Sequence, residues 1–72
     1  AKVHILIVPK KHYGSLNDLK EKDQKLLGRL ILTARELAKK TGISKSGYRI
    51  VINTGPWSGQ IVPHLHIHLM GG

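Results

Sequence analysis

The chain reads as an α+β domain: an antiparallel sheet with three recognisable strands and one long helix packed on one face. Three observations carry this reading. An apolar run spans Val3 to Val8, a helical apolar period runs between Lys22 and Lys40, and histidine alternates with apolar residues from His64 to Leu69. With 72 residues, there is room for a single small domain, 1–72, whose own burial is barely sufficient for stability.

Val3 to Val8 is apolar on both parities, interrupted only by His4. That pattern predicts a strand covered on both faces. Pro9 ends it, because proline has no N–H to give to a ladder. Residues 10–20 read as a loop with a helical turn around Ser15 to Leu19. From Lys22 to Lys40, Leu26, Leu27, Leu30, Ile31, Ala34, Leu37 and Ala38 recur at spacings of three and four, one apolar stripe of a helix. Glu21 and Asp23 near its start, with Lys39 and Lys40 at its end, suit the helix dipole. Gly42 is placed to terminate it with positive φ. Gly28, a poor helix former, suggests close packing against a strand. Tyr48 to Asn53 reads as a second strand and Thr54 to Gly59 as a loop. Val62 to Met70 reads as a third strand, with Leu65, Ile67 and Leu69 on one face and His64, His66 and His68 on the other.

The formal net charge of +8, from 12 Lys/Arg against 4 Asp/Glu, favours anionic partners. The basic residues are scattered, however, and the aromatics are only Tyr13, Tyr48 and Trp57. That is too few for a base-stacking platform, so nucleic acid is not the expected partner. The run Ile5 to Val8 is too short to cross a bilayer, and no membrane partner is expected. The chain contains no cysteine, which excludes a disulfide framework and thiolate metal ligation. A reducing, cytoplasmic location fits that composition.

Three histidines at i, i+2 and i+4 on a strand share one face, the outer two roughly 13 Å apart at the backbone. They cannot all converge on one ion from an unbulged strand, although two of them with His4 could form a histidine metal site. All four acidic residues lie between residues 18 and 36, away from this cluster. Nucleophilic catalysis is the sharper reading. A neutral imidazole attacks phosphorus through one nitrogen when its other N–H is held by an acceptor. The loop Gly55-Pro56-Trp57-Ser58-Gly59-Gln60 feeds directly into the histidine segment, and its glycines allow backbone N–H groups to approach phosphate oxygens.

The segment Gly59-Gln60-Ile61-Val62-Pro63-His64-Leu65-His66-Ile67-His68 resembles the signature of the histidine-triad superfamily. The following Leu69-Met70-Gly71-Gly72 is similar to its Hint-like nucleotide-binding, phosphoramidase branch. His4-Ile5-Leu6-Ile7-Val8-Pro9-Lys10-Lys11-His12 and Gly47 to Asn53 match in order and spacing. The resemblance implies a histidine-triad fold, with the chain a fragment lacking the family's N-terminal strands. It implies a hydrolase or nucleotidyl transferase acting at the α-phosphorus of purine nucleotides or nucleoside phosphoramidates.

By the same resemblance, His66 is the nucleophile and forms a nucleotidyl-imidazole intermediate. The His64 carbonyl orients its ring, and His4 supports the triad from behind. Asn53, Gly59, Gln60, Ile61, His66 and His68 occupy the phosphate-binding positions. His12 falls in an exposed turn. A homodimer is implied, with no cofactor and no metal. Ile61 stands where this branch commonly carries serine, and so offers only its backbone N–H. That departure, with the missing N-terminal strands, motivates the alternative of a non-catalytic nucleotide-binding or protein-interaction module; a histidine metal site is the third reading.

Overall fold

A computed structural model describes residues 1–72. Strand β1 (Val3–Ile7) is followed by two single 3-10 turns, Leu16–Asp18 and Glu21–Asp23, and then by helix α1 (Gln24–Lys40). Strands β2 (Tyr48–Val51) and β3 (Ile67–Gly71) flank a third 3-10 turn at Pro56–Ser58. The sheet order is β1-β3-β2, with both pairings antiparallel. The three-strand antiparallel sheet with one helix on one face is the predicted architecture.

Because β3 is central, its backbone groups face a ladder on either side. Ile5 and Ile50 both pair with Leu69, and Leu6 and Val51 both pair with His68. Directly opposed residues share a face, so one side carries Ile5, Ile7, Ile50, Ile67 and Leu69. The other carries His4, Leu6, Val51 and His68. Ile67 and Leu69 are fully buried, and Leu65 and Ile43 nearly so.

Helix α1 covers that apolar side with Leu30, Ala34 and Ala38. Ala34 and Ala38 have no exposed surface; their small side chains let the helix backbone lie close to the sheet. The buried face is narrower than the sequence stripe, since Ile31 stays exposed, as does Leu32 beside it. Gly28 is on that outer side as well, with nothing within 4 Å of where a Cβ would stand. The expected close packing of Gly28 against a strand is therefore not found.

Both helix ends are built from local chemistry. At the start, the Asp23 carboxylate accepts the Lys20 N–H at 2.9 Å and the Tyr13 hydroxyl at 3.2 Å. At the end, Gly42 takes φ +78°, as predicted. Ile43 N–H donates to the Ala38 carbonyl at 3.0 Å and Gly42 N–H to Lys39 at 3.2 Å. This is a Schellman closure, and it delivers Ile43 into the core. Gly71 allows the next close approach: a Cβ there would stand 2.9 Å from the Gly47 carbonyl oxygen.

Two further expectations change. Strand β1 is covered on one face only, because Leu6 and Val8 are more than half exposed on the other. Strand β3 begins at Ile67, not Val62. Its partners run out there: β1 ends opposite Ile67 and β2 opposite His68. Pro9 and Pro63, both without an N–H, cannot extend a ladder.

Truncating Leu69 to alanine should cost about 2–5 kcal/mol, because it empties space between helix and sheet. Leu32→Ala, on the exposed side of α1, should cost less than about 0.5 kcal/mol. Urea denaturation of the two variants checks the contrast; equal losses would contradict this core.

Candidate functional site

The segment before β3 is held by two anchors. Leu65 is 2% exposed, and its N–H donates to the Tyr13 carbonyl at 2.7 Å. A tight turn precedes it, in which His64 N–H donates to the Val62 carbonyl at 2.9 Å. Alternation survives although the ladder does not: Leu65 points into the core, while His64 is exposed and His66 half-buried.

This conformation leaves the His64 carbonyl outside the sheet, and His66 Nδ1–H donates to it at 2.7 Å. A carbonyl can only accept, so the proton on this ring is placed at Nδ1. In the neutral imidazole, Nε2 then carries a bare lone pair.

The remaining histidines extend from this centre in both directions. The His66 and His68 rings meet edge-on, with centroids 4.9 Å apart. His68 Nδ1 lies 2.8 Å from His4 Nε2, one donating and the other accepting. On the other side, His64 Nδ1 and His12 Nδ1 are 2.7 Å apart and likewise share a proton. All five histidines of the sequence thus form one line: His12, His64, His66, His68, His4. Burial lowers the His68 pKa below the ordinary imidazole value, reinforced by the nearby His66 and His4. A neutral His68 is the consequence at pH 7.

The line is extended, and no group of three or more His, Cys, Asp or Glu side chains gathers as metal ligands. No helix is long and apolar enough to cross a membrane.

The loop ahead of the triad is shaped by Gly55 and Gly59, at φ +82° and +90°, conformations that favour glycine. Ser58 Oγ donates to the Gly55 carbonyl at 2.8 Å. The Gln60 carboxamide links this loop to the turn at Gly14, beside a cleft of ≈ 250 Å³. Ile61 is 91% exposed, so its side chain fills no internal space. Asn53 is half-buried two residues beyond Val51, the β2 partner of His68.

The structure therefore joins His4, His64, His66 and His68 directly. It sets Gly59, Gln60 and Ile61 on the loop that runs into the His64 turn. His12 lies in the exposed segment expected of it; what sequence reasoning missed is its pairing with His64. The antiparallel pairing itself held the signal. Carrying the β1–β3 register beyond Ile7↔Ile67 brings the segment around His12 opposite Val62–His64.

Comparison with known proteins agrees with this fold. The family described as "HIT domain" matches residues 1–72. An uncharacterised HIT-like protein of Synechococcus elongatus is 51% identical over all of this chain and 62% of its own length. The purine nucleoside phosphoramidase of Escherichia coli is 42% identical over all of this chain and 60% of its own length. A crystal structure of a HIT family hydrolase from Legionella pneumophila superposes with a TM-score of 0.98 at 44% identity. It covers the whole chain and 64% of that protein. The chain thus spans about three-fifths of the length of the curated relatives it matches.

His68 should titrate below the ordinary imidazole value of 6.5. A base with a lower pKa when folded binds protons more readily when unfolded. Stability contributed by neutral His68 is therefore complete above the unfolded value and falls as pH drops below about 6.5 toward the folded pKa. Imidazole NMR titration reads the pKa directly, and urea midpoints against pH should slope less in His68→Gln. A His68 that titrates at or above the ordinary value would contradict the geometry.

Proposed function

The chain belongs to the HIT domain family, and from that premise we propose that its protein is a nucleotide-binding hydrolase or nucleotidyl transferase. It acts at the α-phosphorus of purine nucleotide derivatives, nucleoside phosphoramidates among them, through a nucleotidyl intermediate on His66. The observation that carries this reading is the 2.7 Å bond from His66 Nδ1–H to the His64 carbonyl.

The chemistry follows from that bond. Nε2 attacks phosphorus, and the P–N or P–O bond to the leaving group breaks with its electron pair, the departing group taking from solvent the proton that water gives back in the second step. The imidazole becomes positively charged while still holding its Nδ1 proton. The bond to His64 is then charge-assisted and stronger than in the resting protein. An interaction that strengthens as the bond forms lowers the barrier and not merely the ground state. Water attacks the intermediate next, releasing the nucleotide and returning a neutral ring. Two displacements replace one difficult step.

His68, Asn53 and the loop Gly59-Gln60-Ile61 would receive the phosphate. With His4 Nε2–H donating to His68 Nδ1, the neutral His68 presents its own Nε2–H as a donor to a phosphate oxygen. A homodimeric partner belongs to the same reading, and the exposed Ile31 and Leu32 on α1 offer apolar surface for it. The competing reading, binding without turnover, draws on Ile61, which brings no hydroxyl to the leaving group.

His66→Ala in the complete protein should abolish phosphoramidate turnover while purine nucleotide binding largely survives. Amine release and equilibrium nucleotide titration measure the two properties. Turnover within about tenfold of the parent, only ~1.4 kcal/mol of barrier, would exclude His66 as nucleophile. Binding with no turnover in the parent would favour the binding module.

A further inference from the structure

One side chain secures the loop in front of the histidines. Gln60 Oε1 accepts the Gly55 N–H at 2.7 Å, while Nε2 donates to the Gly14 carbonyl at 2.8 Å and to the Val62 carbonyl at 3.1 Å. Two carbonyls facing the nitrogen and one N–H facing the oxygen admit a single orientation of the carboxamide. Both of its N–H groups are committed to backbone oxygens.

The same Val62 carbonyl accepts the His64 N–H at 2.9 Å, and the His64 carbonyl accepts from His66. A continuous path therefore runs from the Gly14 turn through Gln60, Val62 and His64 to the His66 ring. Meanwhile the backbone N–H groups of Ile61 and Val62 make no hydrogen bond within the chain, and both residues are exposed.

We propose that Gln60 is a positioning residue: its carboxamide fixes the Gly55–Val62 loop to the Gly14 turn and sets the His64 carbonyl that orients His66, leaving the Ile61 and Val62 backbone N–H groups to meet the phosphate. This rests on the reading of His66 given above. Backbone donors stabilise developing charge only when their direction is already set. Bonds from Ser58 Oγ and the Gln60 N–H to the Gly55 carbonyl close this loop on itself, but it is the Gln60 side chain that ties it to the Gly14 turn. A Gln60 side chain that itself bound phosphate would have to release the Gly14 or the Val62 carbonyl.

Gln60→Ala and Gln60→Glu in the complete protein test this. The glutamate variant keeps an acceptor for Gly55 but loses both donors at neutral pH. Three measurements are made: hydrogen exchange of the Gly55 amide, the His66 tautomer by imidazole nitrogen NMR, and kcat and KM on a purine nucleoside phosphoramidate. In Gln60→Ala, Gly55 exchange should quicken at least about tenfold and kcat should fall about ten- to hundredfold, with KM within about threefold. Both variants should replace the single Nδ1–H tautomer of His66 with a mixture, and only Gln60→Glu should keep Gly55 protected.

An unchanged His66 tautomer in both variants overturns the proposal, as does a KM rise above about tenfold with unaltered Gly55 exchange, which would mean substrate contact. If the parent protein turns over no phosphoramidate, the reading of His66 as nucleophile fails. The two NMR measurements on the ligand-free protein still decide whether Gln60 positions its ring.

Discussion

The bond from His66 Nδ1–H to the His64 carbonyl is the constraint on which the site depends. It exists because the chain joins the sheet only at Ile67, three residues after His64, so no ladder claims that carbonyl. Within β3, carbonyls and N–H groups are shared between β1 and β2. Ahead of Ile67 neither neighbour remains, and the His64 carbonyl is free to turn toward its own i+2 side chain. The departure from regular strand structure is thus what makes a directed imidazole possible.

Freedom from the ladder would mean little if the segment could wander. Leu65 prevents this twice, through its buried side chain and its N–H bond to Tyr13. Tyr13 in turn is tied by its hydroxyl to Asp23, whose carboxylate also holds the turn leading into α1. Helix start, first loop and histidine segment are therefore mechanically connected. On the opposite side, Ile67 and Leu69 lie in the core against Ala34 and Ala38. Since successive strand residues alternate faces, burying these two commits His66 and His68 to the other side.

Much of this was legible in the sequence, for particular reasons. The apolar set Leu65, Ile67 and Leu69 and the polar set of histidines could be separated by parity alone, whatever the strand boundaries. Gly42 marked the helix end because few other residues adopt its conformation. The beginning of β3 was not legible, because alternation already runs from His64 through His66 while hydrogen bonding depends on where the neighbouring strands stop. The two-sided burial expected of β1 failed because Leu6 and Val8 meet no covering layer in this chain. His12 and the bonds of Gln60 were hidden for a related reason: both connect segments far apart in sequence, and only the pairing register brings them together.

With Nδ1–H held by the His64 carbonyl, Nε2 of His66 is the atom proposed to attack phosphorus. Rapid mixing of the complete protein with a purine nucleoside phosphoramidate, followed by an alkaline quench that preserves phosphorus–imidazole bonds, tests it most directly. Peptide mapping and nitrogen–phosphorus coupling then locate any adduct. One nucleotidyl group is expected, on Nε2 of His66, formed and consumed at rates consistent with turnover. An adduct on Nδ1 or on another histidine, or steady turnover with no adduct at all, would contradict it.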